Sequence, residues 1–245
     1  MKDIIVIKIG GVASQQLGAD FLSQIKNWQE AGKHLVIVHG GGFAINKLMK
    51  ENQLPIKKIN GLRVTSKEDM VLVSRALLDL VGKHLQDKLT QAGVASKQLR
   101  TEIKNTVRAD FLDKKTYGYV GDVTSIDETV LKALLNDGLV PILASLGYSK
   151  EGKMLNINAD YLATAAAAAL TADKLILMTD VKGILENGSV LDLLKIKHIQ
   201  EKMKAGVITG GMIPKVESAV KTVKAGVRQV LIGDNLQTGT IIAED

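Results

Sequence analysis

His39-Gly40-Gly41-Gly42 lies between two runs of opposite character. Before it stands Leu35-Val36-Ile37-Val38, short and apolar, which reads as a buried strand. After it comes Phe43-Ala44-Ile45-Asn46-Lys47-Leu48-Met49, whose apolar residues at 44, 45, 48 and 49 have helical spacing. Three glycines therefore join a strand to a helix N-terminus. Such a junction offers unpaired backbone N–H groups at the positive end of a helix dipole, a ready anion site. Without Cβ atoms the backbone can also approach a ligand closely. A tight left-handed turn after a strand would use glycine too, and both readings stand at this point.

Outward from this junction the pattern repeats. Ile4 to Ile9 reads as a buried strand ending in Gly10-Gly11, and residues 15 to 31 as a helix with Leu17, Phe21, Leu22, Ile25 and Trp28 on one face. Strand and helix thus alternate through the first fifty residues, the pattern of a parallel sheet with covering helices. Ser66-x-x-Asp69 resembles a capping box opening a long helix with Met70, Val73, Leu77, Val81, Leu85 and Leu89 on its apolar face. The stretch 97–125 is polar and β-branched and reads as hairpins projecting from the sheet edge, a candidate lid. A helix over 127–137, strands at Val140–Ala144 and Leu175–Met178, an Ala-rich helix from Asp160 and a helix from Pro214 complete the alternation. The expected fold is α/β, a three-layer αβα open sandwich with a mostly parallel central sheet.

Composition narrows the function classes. The chain has 245 residues, 46% hydrophobic and 24% charged, with a net charge of +6. A positive balance suits anionic ligands of any size. The basic residues are scattered, and only three Phe, four Tyr and one Trp are present, so a stacking platform for nucleic acid is not expected. There is no Cys, which excludes disulfides, thiolate catalysis and zinc–thiolate sites and fits a reducing compartment. The four histidines, at 34, 39, 84 and 198, show no metal spacing, and no protein metal ligand is expected. The N-terminus enters a strand at once, and no stretch is apolar enough for a membrane span, so a cytoplasmic protein with no membrane partner is expected.

Glycines recur where strands end, at 10–11, 40–42, 183 and 210–211. In open α/β sheets, ligands bind beyond the carboxyl ends of the strands, so this rim suits a polyanion. It is not a dinucleotide fingerprint, because the pattern starting at Gly40 would need glycine where Ile45 stands. Nor is it a P-loop: the three Gly-Lys pairs are followed by His34, His84 and Met154 instead of Ser or Thr.

Some residues break local rules. Lys8 is a charge in an apolar strand just before Gly10-Gly11. Lys215 directly follows Pro214, which favours a helix start, and a cation there opposes the helix dipole unless an anion is bound. Asp160 opens the Ala-rich helix, either as its N-cap or as an ion-pair partner for the lysines. Asn156 and Asn158 alternate before it and share a side if that segment is extended. Arg63 sits in a polar turn and offers a bidentate match to a carboxylate. His39, at a strand end, reads as structural.

Five ordered segments carry a family resemblance: Lys8-Ile9-Gly10-Gly11, His39-Gly40-Gly41-Gly42, Asn60-Gly61-Leu62-Arg63-Val64-Thr65, Asn156-Ile157-Asn158-Ala159-Asp160 and Gly210-Gly211-Met212-Ile213-Pro214-Lys215. Together they resemble the motifs of the amino acid kinase family over essentially the whole chain, most of all its acetylglutamate kinase branch. The resemblance implies an N-terminal lobe, about residues 1–155, for the acyl amino acid and a C-terminal lobe, about 156–245, for ATP. It implies ATP-dependent phosphorylation of the side-chain carboxylate of N-acetyl-L-glutamate, in arginine biosynthesis, with Mg²⁺ carried by ATP. Lys8 and Lys215 would stabilise the transition state, with Asp160 organising both. Gly41, Gly42, Arg63, Asn156 and Asn158 would form the amino-acid site. Gly10, Gly11, Asp180, Gly183, Gly210, Gly211 and Met212 would contact phosphate or nucleotide. Because the chain starts at its first strand, it resembles the shorter, arginine-insensitive homodimeric members. A sister kinase acting on another acyl amino acid, such as aminoadipate on a carrier protein, fits the same motifs, as does a catalytically silent nucleotide sensor.

Overall fold

Six consecutive buried residues, Ile4–Ile9, form β1 at the middle of the central sheet. The structure is a computed structural model and describes residues 2–10 and 17–244. The other strands of the sheet are β2 (His34–His39), β3 (Ser96–Gln98), β4 (Val140–Ala144), β5 (Lys174–Met178), β6 (Leu193–Lys195), β7 (Gln229–Gly233) and β8 (Thr240–Ala243). Their order is β6-β8-β7-β5-β1-β2-β4-β3. Every neighbouring pair is parallel except β7–β8. The expected mostly parallel open sheet is therefore what forms, with one antiparallel pair near its C-terminal edge.

Side-chain alternation along the strands divides the core into two layers. On one side, Ile4 and Val6 of β1 and Val36 and Val38 of β2 join a core built with α2 (Gly42–Glu51), α3 (Ala159–Ala169) and α4 (Met212–Lys224). On the other, Ile5, Ile7, Ile9, Leu35 and Ile37 meet Phe21 and Ile25 of α1 (Ala19–Glu30) and Leu85 and Leu89. The same alternation sends Lys8 to the side of α3. It sends His39 to the opposite side, with Leu35 and Ile37.

The helix expected after Ser66 runs over residues 69–91. Its capping box is reciprocal: the Ser66 N–H donates to Asp69 Oδ2 at 2.8 Å, and the Asp69 N–H donates to Ser66 Oγ at 3.0 Å. Sequence periodicity did not show that Ala76–Gly82 winds as a π-helix between the α-helical segments Asp69–Arg75 and Lys83–Gln91. The wider turn frees carbonyls, and that of Leu78 accepts from Gln98 Nε2 at 2.9 Å and Arg100 Nη1 at 3.1 Å.

The region 97–125 differs from the projecting lid expected of it. Its first residues complete β3 at the sheet edge. The antiparallel pair Val107–Phe111 and Val120–Ile126 is present, but Leu146–Tyr148 and Met154–Ile157 close it into a four-stranded barrel. Val107, Ala109, Leu155 and Ile157 fill its interior, and with Leu146 they join the first core layer. Glycine permits this closure: a Cβ on Gly121 would lie 2.8 Å from Leu155 Cδ1, and one on Gly147 would lie 3.0 Å from Ala109 Cβ. The inward set is too small and too interrupted by polar residues for alternation to announce a barrel.

Candidate active site

The rim where β1, β2 and β4 end holds a cleft of about 240 Å³, lined by residues from four of the five quoted segments. Lys8 is 8% exposed, and its Nζ lies 2.9 Å from Asp160 Oδ1. Gly10 makes room for that ammonium, since a Cβ there would sit 2.6 Å from Nζ. Asp160 is free to pair because it does not cap its helix. Asn158 does: its Oδ1 accepts from the N–H groups of Asp160 at 2.8 Å and Tyr161 at 3.3 Å. The capping alternative for Asp160 is thus resolved in favour of the ion pair. Asn158 keeps its place on the cleft wall, with its oxygen already engaged.

The glycine turn works by close approach. None of Gly40, Gly41 or Gly42 has positive φ, so the left-handed-turn reading does not apply. Gly41 needs its small size, because a Cβ would lie 2.7 Å from Cδ2 of Leu77, which is fully buried in the π-helical segment. The turn leads into α2, whose first residue Gly42 lines the cleft, and α3 begins on the same cleft with Ala159 and Asp160. Two positive helix ends therefore converge there.

Arg63 forms the opposite wall and is 8% exposed. Its Nη1 donates to Met49 Sδ at 3.2 Å, and its Nη2 donates to the Gly42 carbonyl at 3.4 Å and to Asn46 Oδ1. Every one of these acceptors is neutral. Among the described residues no carboxylate lies within ion-pair distance of the guanidinium. Burial lowers its pKa from the ordinary arginine value, and the more distant Asp69 opposes that shift. A buried cation without a counter-charge is costly, and a bound anion in the cleft would relieve the cost. The sequence reading did not single out Asn46 and Met49. Their signal is the spacing Gly42, Asn46, Met49, which puts all three on one face of α2.

Asn156 lines the same cleft and donates from Nδ2 to Thr65 Oγ1 at 3.1 Å. The C-terminal residues stand further along the rim. Asp180 follows β5, and its pKa is lowered by the Thr179 hydroxyl, by its own backbone N–H, and by the charges of Lys215 and Lys8. The two lysines and this carboxylate thus share one electrostatic neighbourhood. Lys215 is half-buried at the fourth residue of α4, whose helix starts two residues before the expected Pro214. Gly211 is its N-cap and Met212 its first residue, packed against the core, while Gly210 has φ +52. Gly183 has φ +147 and abuts Thr240, whose hydroxyl accepts from the Ile184 N–H at 2.8 Å. Of the expected phosphate- and nucleotide-binding residues only Gly10 lines the cleft, and Gly11 falls outside the described residues.

His39 is fully buried on the face away from the cleft, with its Nδ1 3.1 Å from the Gly40 carbonyl. Burial lowers its pKa to about 4, opposed by that carbonyl. It stays neutral at pH 7, and the structural reading of this residue stands. In the unfolded chain it titrates near 6.5. Between those values the unfolded chain binds a proton that the folded one refuses, so stability falls as pH drops from 6.5 to 4. The loss reaches about 3 kcal/mol at the lower end. A thermal midpoint that falls through this window, with the fall flattened in His39→Gln, is the expected outcome. A wild-type midpoint that is level over the window contradicts it.

An open α/β sandwich whose strand-end rim gathers lysines, an unpaired arginine and helix N-termini defines an enzyme for anionic substrates. The chain belongs to the amino acid kinase family, whose sequence model matches residues 3–234. It is 74% identical over 245 residues to the acetylglutamate kinase of Streptococcus mutans, covering 100% of both chains. It is 44% identical over 245 residues to that of Staphylococcus epidermidis, again covering 100% of both. A crystal structure of a Streptococcus mutans UA159 protein, 74% identical, superposes with a TM-score of 0.93 and covers 100% of both chains. Carbamate kinase from Giardia lamblia bound to AMP-PNP shares the fold, with a TM-score of 0.75 at 18% identity over 100% and 99% of the two chains. Among the described residues no helix is long and apolar enough to cross a membrane.

Proposed function

We propose that this chain transfers the γ-phosphoryl group of ATP to the side-chain carboxylate of N-acetyl-L-glutamate, giving N-acetyl-L-glutamyl 5-phosphate for arginine biosynthesis. The observation that carries the reading is the buried Arg63 guanidinium, held by neutral groups only, across one cleft from the Lys8–Asp160 pair. The full-length relatives named acetylglutamate kinase supply the substrate. Arg63 takes the α-carboxylate of the amino acid, and Asn156 takes the adjacent acetamido N–H. The glycine turn then sets the side-chain carboxylate toward Lys8.

That carboxylate is ionised at pH 7, so no general base is needed. The work left is to align two anions and to neutralise charge on the transferring phosphoryl group. Lys8, fixed by Asp160 and given room by Gly10, does so from one side, and Lys215 at the start of α4 does so from the other. The N-terminal lobe, about 1–155, holds the amino acid. The C-terminal lobe, about 156–245, holds ATP along Asp180, Gly183 and Gly210 to Met212. Mg²⁺ comes as part of the nucleotide substrate, held by phosphate oxygens and water. The enzyme works as a homodimer in the cytoplasm.

ATP consumption should depend on N-acetylglutamate and give a hydroxamate when hydroxylamine is present. Product with acetylated aminoadipate or with glutamate, and none with acetylglutamate, would overturn the substrate assignment.

A further inference from the structure

We propose that Thr65 is a positioning residue that fixes which way round the Asn156 side-chain amide stands, and so sets the acceptor this amide presents to the acyl amino acid. The inference rests on the substrate reading of Asn156 given above. Thr65 is fully buried. Its backbone is clasped on both sides by the barrel hairpin: its N–H donates to the Tyr117 carbonyl at 3.0 Å, and its carbonyl accepts from the Tyr119 N–H at 2.6 Å. Gly118 permits the clasp, with φ +71 and no side chain; a Cβ there would lie 2.3 Å from the Thr65 carbonyl oxygen. The hydroxyl is thus delivered to one place by the main chain.

At that place Oγ1 is 3.2 Å from the Arg63 carbonyl oxygen and 3.1 Å from Asn156 Nδ2. A hydroxyl carries one proton, and a carbonyl can only accept. The proton goes to Arg63, so Thr65 can only accept from Asn156. The amide must therefore turn its NH₂ toward Thr65. The flipped amide would need that one proton for its Oδ1 and would take it from the Arg63 carbonyl, so only the orientation with NH₂ toward Thr65 keeps both hydrogen bonds. Oδ1 is left pointing away from Thr65, and it accepts no hydrogen bond from any described residue. One hydroxyl thus ties the backbone under Arg63 to the amide of Asn156, although the two residues come from segments 93 positions apart in the chain.

Thr65→Val replaces the hydroxyl by a methyl of similar size and leaves the backbone clasp in place. It should raise the KM for N-acetylglutamate about tenfold with the KM for ATP unchanged, and Thr65→Ser should restore it. In an Asn156→Ala background Thr65→Val should add less than about twofold, because its effect passes through the amide. An equal loss in both backgrounds, or a Thr65→Val enzyme with wild-type KM and only a lower thermal midpoint, makes Thr65 purely structural and overturns the proposal. If Asn156→Ala itself leaves the KM for N-acetylglutamate unchanged, the substrate reading of Asn156 falls, and the proposal falls with it.

Discussion

Lys8→Met should lower kcat by roughly 10²–10³-fold, the size of effect seen when one preorganised donor to a developing charge is removed, with a much smaller change in the KM for N-acetylglutamate. The ammonium is nearly buried, fixed 2.9 Å from Asp160, and packed so closely over Gly10 that a Cβ there would lie 2.6 Å from it. Methionine keeps an unbranched stem, one atom shorter, and removes the charge and its N–H donors. A loss felt in the transition state and little in the ground state lowers kcat and kcat/KM together. Stability gives a separate check. Asp160 is partly solvent-facing and sits in the first turn of α3, at the positive end of the helix dipole, so it tolerates losing its partner. The thermal midpoint should therefore shift by only a few degrees, which corresponds to about 1 kcal/mol. Near-normal turnover in Lys8→Met, with intact folding, would remove Lys8 from catalysis.

Much of this arrangement was legible in the sequence, and the reasons are local. Lys8 stands out as a charge in an apolar strand, and alternation alone places it with Val6 on the side of α3. The glycine turn is legible as a strand–helix junction. What glycine does there is not, because its necessity at 41 comes from Leu77, 36 residues away. Asp160 and Asn158 are both good caps by residue type, so only geometry decides which one caps and which one pairs. The π-helical segment under the turn leaves no mark in the apolar periodicity. The barrel reads in sequence as hairpins projecting from the sheet edge, because two of its four strands come from beyond residue 145, and strand pairing at that distance is set by packing instead of by local pattern. The same limit hid Thr65, whose role depends on contacts to Tyr117, Tyr119 and Asn156.

Arg63→Met should raise the KM for N-acetylglutamate by roughly 10²–10³-fold, leave the KM for ATP unchanged, and leave kcat at saturation within a few-fold. The estimate takes two charge-assisted hydrogen bonds to a carboxylate at about 1.5–3 kcal/mol each, less the water that replaces them. Arg63→Lys keeps the charge but loses the planar fork, so its KM should fall between wild type and Arg63→Met. Stability should move the other way. The native guanidinium is buried against a thioether, a carbonyl and an amide, with no counter-ion among the described residues. Replacing such a group by an apolar one of similar length removes a desolvation cost, so the thermal midpoint without substrate should hold or rise. Added N-acetylglutamate should then stabilise the wild type and not the variant. Binding free energy and folding free energy thus oppose each other at one side chain, as expected where a site keeps a charge for its ligand. A midpoint several degrees lower with an unchanged KM would instead make Arg63 a strut for α2, and the anion site would have to be sought elsewhere on the rim.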